Sequence, residues 1–257
     1  EDAFRHGYVG HWTTSGLKPY MIYRLQGGTG VISENGAGTV SPEHTLRCAD
    51  TLIYCAPPDP KQKIMDLHRS MMYADADDDW GHRDTIIDPA YDMVNIGVAY
   101  DEVGLSFYQH FEYKGLEYLQ EPSLENSTLS FQARTLNADR IVSIAIYYDP
   151  PPQSRTPEQI ESLHSYCTGG GFTDKCDDVE PILRVLIPAE LRWRSGYRYA
   201  DLTDREVIAD MWELVDGVTY VEANVSGAIR GPGVYTLVIW PEAGSSRFGL
   251  YSIFIED

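Results

Sequence analysis

The chain has 257 residues, 43% of them hydrophobic and 12% aromatic, which is ample for buried cores and excludes a disordered acidic tail. Its 39 acidic residues against 20 basic ones leave a net charge of -19, a field that repels nucleic acid and anionic membrane surfaces. No apolar run approaches the roughly 20 residues that a membrane span needs.

In chain order, residues 1–12 (EDAFRHGYVGHW) carry the last turns of a helix closed at Gly7 or Gly10. Residues 13–33 are turn-rich, loop or short helix around Tyr20–Leu25. Their glycine spacing and the lack of a preceding strand exclude a phosphate-binding fingerprint. Glu34–Gly38 is a polar-then-small stretch. The prolines of APPDP (56–60) break the chain, and Pro60 opens a helix over about Lys61–Ala76. Ile64, Met65, Leu67, His68, Met71 and Met72 recur there at helical spacing, with the methionines read as core filler. His68 points inward, as a satisfied core histidine or, alternatively, a ligand.

The acidic run Asp75, Asp77, Asp78, Asp79 leads into Trp80-Gly81-His82-Arg83-Asp84. An EF-hand reading fails, because Trp80 and Ile86 stand where the glycine and the final acidic ligand belong. Local sequence reads His82 as a histidine in a polar turn. Two strands follow, Val94–Tyr100 and Leu105–Phe111, joined by the turn residues Asp101–Gly104. From residue 113 onward, strand-like runs fall at 130–133, 140–148, 182–187, 218–225, 233–240 and 248–255, separated by Gly- and Pro-rich turns. One helix interrupts them, with Thr156 as N-cap, Pro157 at the first position, and a body over Glu158–Tyr166. The boundary between two domains, 1–115 and 116–257, falls near the polar, turn-prone segment 115–125.

Four cysteines form two close pairs, Cys48 with Cys55 and Cys167 with Cys176, neither at zinc spacing. Two short disulfide loops fit them and imply an oxidising, extracellular or cell-surface location. The sequons at Asn126 and Asn224 are compatible with secretion and glycosylation. The chain starts without a basic or apolar leader, so an exported form would be a mature one. No nucleophile elbow occurs, and Ser70 faces away from His68 on its helix. His11, Glu34, His68 and His82 are the candidate cleft residues of the first domain. Two imidazoles and a carboxylate converging there could hold a divalent cation or act as an acid–base pair.

The ordered series GHW (10–12), SENGAG (33–38), WGHRDTIIDPAYDMVNIGVAY (80–100) and LSFYQHF (105–111) resembles the secreted cysteine-rich secretory, antigen 5 and pathogenesis-related (CAP) superfamily in its prokaryotic form. The resemblance covers about residues 5–112. It implies an α+β chain: a CAP-like α-β-α sandwich, here followed by a β-sandwich-like domain. It also implies a cleft in which His11 and His82 are the histidines and Glu34 the first glutamate. The second glutamate is missing, with His68 or Ser70 in its region, and the family's first long helix survives only as residues 1–7. Members bind lipids or sterols, act as secreted effectors, or work as proteases or metal binders. The expectation for this chain is a non-enzymatic secreted or cell-surface binding or structural protein. Its partners would be itself or other surface proteins, lipid or glycan, and self-assembly into a filament or layer is one form of that role. A metal-dependent hydrolase using His11, Glu34 and His82 with zinc or calcium is one alternative, and a lipid or small-ligand carrier is another.

Overall fold

The computed structural model describes residues 1–38, 59–101, 104–136, 140–188, 204–242 and 248–256. The chain forms two compact units that share it in alternation. One holds Glu1–Ile22, Ile32–Glu112 and Gln153–Tyr166; the other holds Tyr23–Val31, Tyr113–Pro152 and Cys167–Asp257.

The first unit is built on a three-stranded sheet. Its strands are β1 (Val31–Gly38), β2 (Met93–Tyr100) and β3 (Leu105–Tyr113), in the order β1-β3-β2. The β2–β3 hairpin is antiparallel in continuous register from Met93↔Glu112 to Tyr100↔Leu105. Strand side chains alternate between faces. On one face Leu105 and Phe107 pack with Met71, Ala37, Ile64, Leu67 and Ile86. Most of those partners come from helices α3 (Pro60–Tyr73) and α4 (Gly81–Ile87). α3 starts where its sequence dictates: Pro60 stands at its first position, and the Asp59 carboxylate accepts from the Lys61 and Gln62 amides. Met65 departs from the core-filler reading and is 59% exposed, because Ile64, Leu67 and Met71 supply the packed stripe.

The helices α1 (Asp2–His6), α2 (Pro19–Leu25) and α5 (Pro157–Glu161) are short. Gly7 ends α1 in the left-handed conformation, returning its amide to the Ala3 carbonyl. α5 carries a full capping box, with the Gln159 amide donating to Thr156 Oγ1 and the Gln159 side chain accepting from the Thr156 amide.

The second unit contains two sheets. One has the order β4-β5-β10-β9, from β4 (Leu116–Glu125), β5 (Thr128–Thr135), β10 (Val218–Asn224) and β9 (Met211–Val215). The other has the order β12-β11-β6-β7-β8, from β12 (Gly249–Ile255), β11 (Gly233–Pro241), β6 (Ile141–Asp149), β7 (Leu183–Leu186) and β8 (Glu206–Ile208). Their inward positions share one core: Leu129, Phe131, Val221 and Ala223 with Ile144, Ile146, Val185, Tyr235, Leu237 and Ile239. Asn126-Ser127 and Asp216-Gly217 each have both residues at positive φ, the geometry of tight hairpin turns. Asn126 thus sits exposed at a hairpin tip, and Asn224 is exposed at the end of β10.

Of the two disulfides expected from the cysteine spacing, the structure shows one. Cys167 and Cys176 are joined, with Cα atoms 5.1 Å apart. The expected bridge between Cys48 and Cys55 is not among the bonds shown, because Cys48 and Cys55 both lie outside the described residues. The pairing of Cys48 with Cys55 stays an expectation from sequence.

These elements also correct the expected fold class. The chain is more β-rich than an α-β-α sandwich joined to a β domain: 41% of the described residues are strand and 22% helix, in three sheets. The physical reason is helix length. Among the described residues only α3 exceeds two turns; the other α-helices have five or seven residues and cannot present the apolar stripe that a helical layer requires. The helix expected over Glu158–Tyr166 stops at Glu161.

Candidate functional site

The second face of the three-stranded sheet carries Glu34 and Gly36 of β1 and Ser106, Tyr108 and His110 of β3. The close approach of Gly36 to Tyr108 marks this face: a Cβ on Gly36 would stand 2.6 Å from the Tyr108 ring. Across the hairpin, Asn95 pairs with His110, Gly97 with Tyr108 and Ala99 with Ser106, so these share the face. The loop after α1 comes down onto it, with the Tyr108 hydroxyl donating to the Gly10 carbonyl at 2.9 Å. That contact sets His11 beside Glu34.

Glu34 is the centre of the arrangement. One carboxylate oxygen meets His11 Nδ1 at 2.9 Å and the other meets His110 Nε2 at 2.5 Å. Its side chain is only 8% exposed. Burial alone would raise its carboxyl pKa; the hydrogen bonds and positive potential of the two imidazoles outweigh this and hold it below the ordinary value. Tyr166 completes the site from a distant segment. Its ring meets the His11 ring edge-on, with centroids 5.4 Å apart, and it hydrogen-bonds the Glu34 backbone. Burial pushes the Tyr8, Tyr108 and Tyr166 phenols upward, so all three remain protonated at neutral pH.

A cavity of about 550 Å³ opens over this face. Its lining includes Tyr8, His11, Trp12, Glu34, Asn95, Ser106, Tyr108 and His110. Asp2 stands at the cavity with its carboxylate occupied by the Tyr8 hydroxyl and by the Thr14 amide and hydroxyl.

The structure brings together two of the four sequence-predicted residues, His11 and Glu34. His82 belongs to a different centre and is absent from the cavity lining. The stretch read as a polar turn is α4, and Asp75 is the reason. Asp75 is 4% exposed, and one of its oxygens accepts from the His82 and Arg83 amides at 2.9 and 3.1 Å. The other meets His82 Nδ1 at 2.6 Å. One carboxylate therefore closes the first turn of the helix and orients the imidazole. The His82 carbonyl accepts from Asn35 Nδ2 at 2.9 Å. Asn35 follows Glu34 in β1 and projects from the opposite side of the strand. His68 lies on the helical face, with Nδ1 3.3 Å from Gln109 Nε2. The set His11, Glu34 and His82 is not assembled, and among the described residues no group of three or more His, Cys, Asp or Glu side chains is arranged to hold a metal ion.

His110 and Asp75 were the residues that sequence reasoning missed. The signal for His110 was the alternation of β3, which places it two residues from Tyr108 on the Glu34 face. For Asp75 it was the distance of seven residues to His82 across the tight turn. Comparison with known protein families and with curated proteins finds no match to this chain.

Proposed function

We propose that this chain is a secreted or cell-surface binding protein whose first unit takes a small ligand into the pocket walled by His11, Glu34 and His110. The observation that carries the reading is the pair of imidazoles braced by one buried carboxylate at the wall of a 550 Å³ cavity. Ligand pockets of roughly 300–1,000 Å³ with a few fixed polar groups are the common form of such sites. Each imidazole turns one nitrogen to Glu34, which leaves the other ring nitrogen for a ligand. Among the described residues no hydroxyl or thiol is hydrogen-bonded to either ring as a nucleophile would be, so binding is favoured over acyl-transfer chemistry. The Cys167–Cys176 bond supports an oxidising location, and the exposed sequons Asn126 and Asn224 are proposed glycosylation sites. Kinship with the CAP superfamily is also proposed, supported by the motif residues His11 and Glu34 meeting as the resemblance implies.

The test is a soluble-fragment screen followed by amide chemical-shift mapping on the full chain. Bound fragments should shift resonances of Gly10–Trp12, Asn95–Ala99 and Ser106–His110, and the shifts should vanish in His110→Ala and His11→Ala. A screen in which no compound perturbs these residues would overturn the reading.

A further inference from the structure

The cavity contains a feature that the imidazole–carboxylate wall does not explain. Ser106 is 3% exposed, lines the cavity, and its hydroxyl has no hydrogen-bond partner among the described residues. Buried hydroxyls are almost always paired, and an orphan at a pocket wall calls for an explanation, which a ligand group would supply. Beside it the floor is low. Gly97 pairs with Tyr108 on the cavity face, and a Cβ added there would meet nothing within 4 Å. Ala99, opposite Ser106, continues the same low row.

Two of the site's carboxylates are already balanced internally. Glu34 is held by two imidazoles, and Asp2 by Tyr8, Thr14 and His6. The exposed Glu1, which also lines the cavity, adds negative charge, and with the chain's net charge of -19 it opposes an anion. Apart from Glu1, what the lining offers a ligand is uncharged: the Ser106 hydroxyl, the Asn95 amide, the second ring nitrogens of His11 and His110, and the half-buried Tyr108 ring. Hydroxyl contacts combined with an aromatic ring suit a molecule that has hydroxyls on its edges and C–H groups on its flat sides.

We propose that the pocket's ligand is a neutral, hydroxyl-rich molecule of sugar size, lying over the Gly97–Ala99 floor with Ser106 Oγ as its buried hydrogen-bond anchor. This rests on the small-ligand reading above. It names the ligand's chemistry and two residues that select it.

Saturation-transfer NMR on the full chain tests it with glucose, mannose, N-acetylglucosamine and cellobiose, against glucuronate, glucosamine and apolar fragments. At least one neutral sugar should bind, and the charged sugars should bind at least about ten-fold more weakly. Ser106→Ala should weaken the neutral sugar about five-fold, the size of one hydrogen bond. Gly97→Val should abolish binding by filling the floor, while its melting temperature holds, since β-branched residues suit strands. If only apolar or charged fragments bind in the pocket, the sugar inference fails and the small-ligand reading stands. Sugar binding unchanged in both variants overturns the Ser106–Gly97 subsite. If nothing binds in the pocket, the reading beneath it fails too.

Discussion

Replacing Glu34 by glutamine isolates what its charge does for the first unit. The amide has nearly the carboxylate's shape but keeps only one acceptor, and it turns an NH₂ toward one imidazole. One of two charge-assisted hydrogen bonds is lost, each worth about 1.5–3 kcal/mol in general, so Glu34→Gln should cost about 2 kcal/mol at pH 7. The loss has a definite pH signature. The folded-state carboxyl lies below its ordinary value of 4.5 because the hydrogen bonds from His11 and His110 outweigh burial. On acidification the unfolded chain therefore takes up this proton first, and the stability contribution drains away as pH falls below 4.5 toward the lower folded-state value. Glutamine has no proton to gain. Urea unfolding of both proteins in steps from pH 7 to pH 3 should show a gap that is full above the ordinary carboxylate range and closes beneath it. Groups remote from Glu34 are common to both chains and cancel in the difference. A gap that stays constant with pH, or no gap at pH 7, would refute the bridging role of Glu34.

Two further perturbations address other parts of the molecule. Asp75→Ala removes the partner of the His82 ring and of the His82 and Arg83 amides, and should cost about 2–4 kcal/mol; faster hydrogen exchange confined to those two amides, measured by NMR, distinguishes a lost cap from general loosening. Cys167→Ser with Cys176→Ser opens a loop with a sequence separation of 9 and should destabilise the second unit by about 2.5 kcal/mol, read as a lower urea midpoint with the slope little changed.

Much of the strand content was legible because alternation and turn residues coincide. β2, β3, β6, β10, β11 and β12 lie within a residue or two of the runs read from sequence. The failures have separate causes. β1 was hidden because Ser33-Glu34-Asn35-Gly36 looks like a loop; those polar and small residues form a strand because Glu34 and Asn35 each find buried partners on opposite faces. β4 was read as the domain boundary because Pro122 punctuates it, and the strand absorbs the interruption through register shifts between Tyr118 and Ser123. α4 was taken for a turn because its start depends on Asp75, seven residues before His82 and invisible to local propensity. At the site, the motif resemblance pointed to His11 and Glu34. The alternation of β3 gave His110 a face, but not its neighbour, because the place of β3 as central strand beside β1 as well as β2 is not local information.

Tyr166 gives the first unit an unusual dependence on synthesis order. The ring beside His11 arrives on Gln153–Tyr166, after the chain has built β4, β5 and β6 of the other unit. A ribosome that has released residue 112 has delivered both histidines and the carboxylate but not the tyrosine that packs on them. The ring contact that packs on His11 therefore has to wait until translation reaches Tyr166. The same threading means that a fragment ending at residue 112 is not a portable module. An exchange of this unit between proteins would have to carry a second, distant piece of the gene with it.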